Sequence, residues 1–366
     1  MSVRRALTTG RHRIVRAAVA AVLLSALVCA PAWSRLEEDQ SMVDIREMAA
    51  HAKLMFRGRV LSRTIDPSPD PGAPLSYRDG KRMPTALIAT FAVDRTYRGA
   101  PRTRAAIHFI SDFGLAMGHF CIEFQPDQYW LVFAVKGSDG SLELADDCIG
   151  ALRISPQLGP KLENAAWPEQ MEADFIAGID DPKETMRIFS LQRLGGLGLP
   201  SSRPALHAVI DKHNGNEKGW AAYAALETGD MTVMPKVREI LDLRGGGVLE
   251  SDLALALRSI KDPAGVPELV KIASTSRDDL ARHEALVGLL YNFHDPRSVP
   301  VFGQALYDSD SSIASIGLEG LGHTAKTAAC RMPDTLPGAD NHAAFARALA
   351  ECKEWWERDG RHRTLN

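Results

Sequence analysis

Four prolines return at nearly constant spacing in the second half of this 366-residue chain: Pro204, Pro235, Pro267 and Pro300 are separated by 31, 32 and 33 residues. Two residues after each comes an apolar side chain (Leu206, Val237, Leu269, Phe302). Five and six residues after come Val209-Ile210, Ile240-Leu241, Ile272-Ala273 and Ala305-Leu306. Offsets of two, five and six fall on one face of an α-helix. Proline suits the first turn of such a helix, where its missing N–H leaves no hydrogen bond unmade. Asp230, Asp262-Pro263 and Asp295-Pro296 precede three of these helices with turn and capping chemistry. Each proline-led helix follows another apolar segment, at residues 186–194, 220–226, 253–260 and 285–293, and a fifth, 313–321, follows the last. Helix pairs at this period predict an α-solenoid, in which each pair buries its apolar face only against its neighbours.

The recurring string Asp-Pro-x-x-Val-Pro-x-Leu/Phe, seen at 262–269 and 295–302, resembles the HEAT-like repeats of the bilin-lyase type across residues 186–322. The resemblance implies a fold and says little about function, because stacked helix pairs serve many roles. A last helix is expected at 341–359, carrying Phe345, Leu349, Cys352, Trp355 and Trp356 and ending at Gly360. Terminal repeats need a distinctive cap, and the paired tryptophans are expected to be its core.

The first half has a different texture. Strands are expected at 53–61, 86–97, 104–110, 129–135 and 142–148, after a short helix at 42–52. Phe91, Val93 and Arg95 alternate as a half-buried strand does, and the run Tyr129 to Val135 is apolar throughout, as suits a central strand. The Pro-, Gly- and Asp-rich stretch 66–84 is expected to be an exposed loop. Five strands with a helix at one end fit a small OB-type β-barrel. Phe56-Arg57-Gly58-Arg59-Val60, then Val93 to Gly99 with Tyr97 inside it, then Gln128-Tyr129-Trp130-Leu131-Val132-Phe133-Ala134 resemble successive strands of the tissue-inhibitor-of-metalloproteinases/netrin-like family, flanked by Cys121 and Cys148. The resemblance covers about residues 45–150 and implies the barrel. Inhibitors of that family chelate a protease zinc through an N-terminal cysteine. This chain has no cysteine between residues 30 and 120, so that mechanism is not carried over.

The N-terminus carries Arg4, Arg5, Arg11, Arg13 and Arg16 with no acid, then an uncharged apolar run from Ala17 to Ala30 and the small residues Ala30-Pro31-Ala32. This layout predicts a secretory signal and a secreted or periplasmic protein, with no stable membrane span after cleavage. Loss of those five arginines takes the formal net charge from −3 to −8, which disfavours nucleic acid as a partner. It also removes Cys29, leaving Cys121, Cys148, Cys330 and Cys352. An even count in an exported chain reads as disulfides, and no tight Cys-x-x-Cys spacing suggests zinc. Pairing within each half, Cys121–Cys148 and Cys330–Cys352, is the simplest of three possibilities.

Motifs for chemistry are sparse. No G-x-S-x-G elbow occurs, and Gly195-Gly196-Leu197-Gly198 and Gly245-Gly246-Gly247 lack a phosphate loop's spacing and Lys. His283-Glu284 is similar to the iron-ligating pair of deoxyhypusine hydroxylase, but equivalent positions one and two repeats earlier hold Glu250 and Lys218, so a helix-start pair is expected instead. His108 and His119, near Asp112 and Cys121, are expected to make local hydrogen bonds. The expected plan is a multidomain β plus all-α protein: signal peptide 1–34, β domain 35–155, linker and entry helix 156–185, solenoid with capping helix 186–366. The expected function is non-catalytic protein binding without a cofactor, through inner-helix polar residues Arg193, Tyr223, Arg258, Tyr291 and Glu319. The alternatives are protease inhibition through barrel loops and a metal enzyme with scattered ligands.

Overall fold

The computed structural model describes residues 44–66, 75–78, 81–84, 86–110, 122–146, 150–243, 250–333 and 340–362. The segment expected to be a signal lies outside these residues, as do Cys121, Cys148, Asp112 and His119. The chain divides into two compact units, one ending at Arg153 and the other running on from Ile154.

The first unit is a β-barrel. After helix α1 (Ile45–His51) come β1 (Leu54–Ile65), β2 (Leu75–Arg78), β3 (Lys81–Pro84), β4 (Ala86–Arg98), β5 (Arg104–Ile110), β6 (Tyr129–Lys136), β7 (Leu142–Leu144) and β8 (Ala151–Arg153). The strand order β1-β4-β5-β7-β6 closes on itself because β1 also pairs with β6, and β8 adds to β6. All barrel pairings are antiparallel except β5–β7, which is parallel at His108↔Glu143. This is a five-stranded, OB-like barrel. In β5, Ala105, Ile107 and Phe109 are buried while their neighbours are not, the period of two that directs one face inward.

The barrel core is aromatic. The Phe124 ring packs edge-on against Phe91 (5.0 Å), Phe109 (4.8 Å) and Trp130 (5.0 Å), and Phe56 meets Phe91 at 5.5 Å. Edge-to-face geometry sets the positive ring edge against the negative ring face. β1 reaches two partners by bulging between Arg57 and Gly58. A Cβ at Gly58 would lie 2.6 Å from the Ala92 carbonyl oxygen, so only glycine fits the crossing. Strand β4 is tied to α1 by Arg98, which donates to the carbonyls of Ala49 and Ala52.

One expectation is corrected here. The stretch 66–84, expected to be loop throughout, contains a two-stranded ladder in which Leu75 pairs with Pro84 and Arg78 with Lys81. The signal was Asp79-Gly80 between the two short runs, a dipeptide that favours a two-residue hairpin turn.

The second unit is helical. Its elements are α2 (Trp167–Gly178), α3 (Glu184–Leu197), α4 (Arg203–Lys212), α5 (Asn216–Glu227), α6 (Met234–Leu243), α7 (Glu250–Ile260), α8 (Val266–Thr275), α9 (Asp279–Gly288), α10 (Val299–Ala305), α11 (Ser311–Thr324) and α12 (Asp340–Arg358). The four repeat prolines each sit in the first turn of α4, α6, α8 and α10, behind short 3₁₀ turns. Asp230, Asp262 and Asp295 cap those turns by accepting from the backbone N–H two residues on. Leu206, Val209, Ile210, Val237, Leu269, Ile272 and Phe302 are all buried, the face that the proline offsets define. The first helices of successive pairs pack in chain order, α3 on α5, α5 on α7, α7 on α9 and α9 on α11.

Side-chain bonds stitch these neighbours together. Arg187 on α3 donates to Glu217 on α5 (3.0 Å), Arg238 on α6 meets Glu268 on α8, and Arg282 on α9 reaches Asp308 (2.9 Å). The entry into the unit is also fixed. The Gly159 N–H donates to Asp174 (2.9 Å), the Leu162 N–H donates to Gln170 (2.7 Å), and the Ser155 hydroxyl donates to Asp181 (2.6 Å). Buried Asp174 and Gln170 thereby satisfy backbone groups of residues expected to be a linker, and buried Asp181 satisfies the hydroxyl of Ser155, the last residue of the expected β domain.

At the far end, Cys330 and Cys352 form a disulfide that fastens α12. Trp355 and Trp356 are buried, and an added Cβ on Gly303 would fall 2.2 Å from the Trp356 ring. The absence of a side chain at this point is what lets the indole approach α10 so closely. Among the described residues, no helix is long and apolar enough to cross a membrane.

Candidate functional site

The polar residues expected on an open face divide into two groups. Arg258 on α7 and Glu319 on α11 are half-buried, and Tyr291, in the turn that follows α9, is exposed; the local structure shows how they are held. Asp278 caps α9 by accepting from the Leu280 N–H. The helix then continues through a π-turn, Leu289–Phe293, and ends at His294 in the left-handed region (φ 47°). The π-turn leaves Leu289 and Leu290 buried and turns Tyr291 outward at 58% exposure. Asn292 donates through Nδ2 to the Arg258 carbonyl at 2.8 Å, closing the turn against α7.

Two separate sets of side-chain contacts lie on these helices. Arg258 donates to Glu284, whose other oxygen lies 3.3 Å from His283 Nδ1. Gly288 gives the stem of Arg258 room, since a Cβ there would come within 3.2 Å of Arg258 Cβ. The Tyr291 hydroxyl donates to Glu319 Oε2 at 3.2 Å, and Glu319 Oε1 lies 3.8 Å from His323 Nε2. The rings of His294 and His323 stand 6.3 Å apart. Partial burial, then the Glu319 carboxylate, hold the Tyr291 hydroxyl above its usual pKa. The result is an exposed aromatic ring flanked by ordered charges and imidazoles.

Arg193 and Tyr223 are not on this surface, which corrects the expectation. They are 1% and 3% exposed, inside α3 and α5. The cause is register: Arg258 and Tyr291 each lie nine residues before their repeat proline, whereas Arg193 lies eleven before and Tyr223 twelve. At about 100° per residue, a shift of two or three positions moves a side chain off the shared face. Arg193 instead lies over the Phe189 ring at 5.8 Å, and burial pulls its guanidinium down to about 9. Burial also pushes the Tyr223 hydroxyl well up. Beside them, burial and the neighbouring Asp44 and Asp252 push Glu227 up to about 7.

In the barrel, His108 Nδ1 bonds Asp66 at 2.8 Å, a local pair at the end of β5. Among the described residues no group of three or more His, Cys, Asp or Glu side chains is placed to hold a metal ion. His283, weighed as part of an iron site, has Glu284 as its bonded neighbour. The histidines beside Glu319, His294 and His323, were missed from sequence. Their only signal is that His294 sits directly before Asp295-Pro296, at the exposed end of an apolar helix. No protein-family model matches this chain, and no curated protein matches it.

Proposed function

We propose that this is an exported, non-catalytic binding or scaffold protein whose helical half is a HEAT-like solenoid offering its inner-helix face to a protein partner. The TIMP/netrin-like barrel is its N-terminal module, and the basic and apolar N-terminus is its export signal. The observation that carries the binding role is Tyr291: a large aromatic side chain held out to solvent by a π-turn and fixed in place by Glu319. Tyrosine and arginine are the residues on which binding energy concentrates, and Arg258 lies on the adjoining helix. Pre-ordering by Glu284 and Glu319 lowers the entropy that a partner's arrival would cost.

Capture with the purified protein tests this, wild type against an Arg258→Ala/Tyr291→Ala double variant. A protein held by the wild type and lost from the folded double variant is the expected result. Equal capture by both would contradict the assignment of the surface.

A further inference from the structure

Two exposed tyrosines of the helical unit are built alike. Tyr291, just after α9, donates to Glu319 on α11 at 3.2 Å, and Tyr307, just after α10, donates to Glu357 on α12 at 2.6 Å. Their side chains are 58% and 50% exposed. The Tyr307 pair is filled from within the chain: the Lys353 ammonium lies 5.0 Å from the ring centroid, and Arg361 donates to Glu357. A cation over the ring meets its negative π face, and a carboxylate beside it accepts a charge-assisted hydrogen bond. The Tyr291 pair lacks such an occupant. Among the described residues no Lys or Arg lies over the Tyr291 ring or pairs with Glu319, whose Oε1 stands 3.8 Å from His323 Nε2, beyond hydrogen-bond length.

We infer that, on the reading that this is the binding face, the Tyr291–Glu319 pair takes an Arg or Lys side chain from a basic polypeptide segment of the partner, as the Tyr307–Glu357 pair takes Lys353 and Arg361. The charge of the helical unit agrees with such an occupant. Residues 154–366 hold 23 Lys and Arg against 30 Asp and Glu, a formal net of −7, whereas residues 47–153 hold 13 against 12. The acid excess therefore belongs to the helices, and its field draws a polycation toward them. Arg258, on α7, is already held by Glu284, so its charge is partly offset where the partner arrives. An acidic segment or a nucleic acid meets the same field with the wrong sign. Arginine is the better fit of the two cations, because a planar guanidinium stacks on an aromatic face and donates to a carboxylate at once.

The test is fluorescence anisotropy of labelled octa-arginine with the full-length protein at about 0.15 M salt, where long-range attraction is screened. Glu319→Gln, whose amide oxygen can still accept from Tyr291, should weaken binding about fivefold or more. Tyr291→Leu, which keeps an apolar side chain and removes the π face, should weaken it about two- to fivefold. Glu163→Gln removes the same charge from an exposed position in the entry segment and should change affinity less than about twofold. Unchanged unfolding midpoints show that the variants compared are folded. Absence of octa-arginine binding, or wild-type affinity in Glu319→Gln or Tyr291→Leu, would overturn the proposal. Equal weakening by Glu163→Gln and Glu319→Gln would overturn it too, because net charge alone would then account for the binding. If octa-arginine fails while Arg258→Ala/Tyr291→Ala still abolishes partner capture, the basic occupant is wrong and the surface stands. If that double variant captures as the wild type does, the surface itself is wrong.

Discussion

Leu290 and Tyr291 are chain neighbours with opposite surroundings, 1% and 58% exposed. Leu290→Ala should open a cavity between helices and cost about 2–5 kcal/mol. Tyr291→Ala removes one exposed hydrogen bond and should cost about 1 kcal/mol or less. Urea unfolding of the two variants checks the contrast, and equal costs would mean the faces are misassigned. Glu227 gives a second residue-scale expectation. Its folded pKa of about 7 stands above the ordinary 4.5, chiefly through burial. The stability it contributes is therefore fully present below 4.5 and is lost as pH rises through about 7. Unfolding midpoints should be higher at about pH 5 than at about pH 8, and Glu227→Gln should flatten that difference. A slope unchanged in the variant would place its origin elsewhere. Residue type alone picked out Arg193 and Tyr223 as well as Arg258 and Tyr291; their differing offsets from the repeat prolines were the information that separates them.

At the scale of elements, the proline-led helices were the most legible part of the chain, because one residue type reports both a start signal and a register. Asp262-Pro263 and Asp295-Pro296 cap where the chemistry says they should. The five barrel strands were legible from alternation and turn residues. The small ladder of β2 and β3 was missed, since a Pro- and Gly-rich composition left Asp79-Gly80 as its single signal and masks two four-residue strands. Phe124 was also invisible: it is the hub of the barrel core but lies outside any strand, where no periodicity announces burial. The cap yields two linked expectations. Replacing Cys330 and Cys352 by Ser should cost about 2–4 kcal/mol and loosen α12. Gly303→Ala should gain up to about 1 kcal/mol in helix propensity. The clash with the buried Trp356 ring should cost about 1–3 kcal/mol and win, because the ring has no free space to move into. Tryptophan emission during unfolding reads both variants, and a Gly303→Ala protein as stable as wild type would show that the indole can shift.

The whole molecule is a barrel that closes its own sheet and, later in the chain, a run of helices in which each pair leans on the next. In the proposed solenoid, stability is a sum of local interfaces, so the exposed side of α7, α9 and α11 is free to be shaped by binding. The residues there are tied to one another more than to the core, as Arg258 with Glu284 and Tyr291 with Glu319 illustrate. The most direct test is site-specific photo-cross-linking in the protein's own cells. A photoreactive residue in place of Tyr291 should give a discrete heavier adduct, while the same probe in place of Arg63 on the barrel gives none. An adduct from position 63 with nothing at 291 would contradict the account, and would move the binding role from the helices to the barrel.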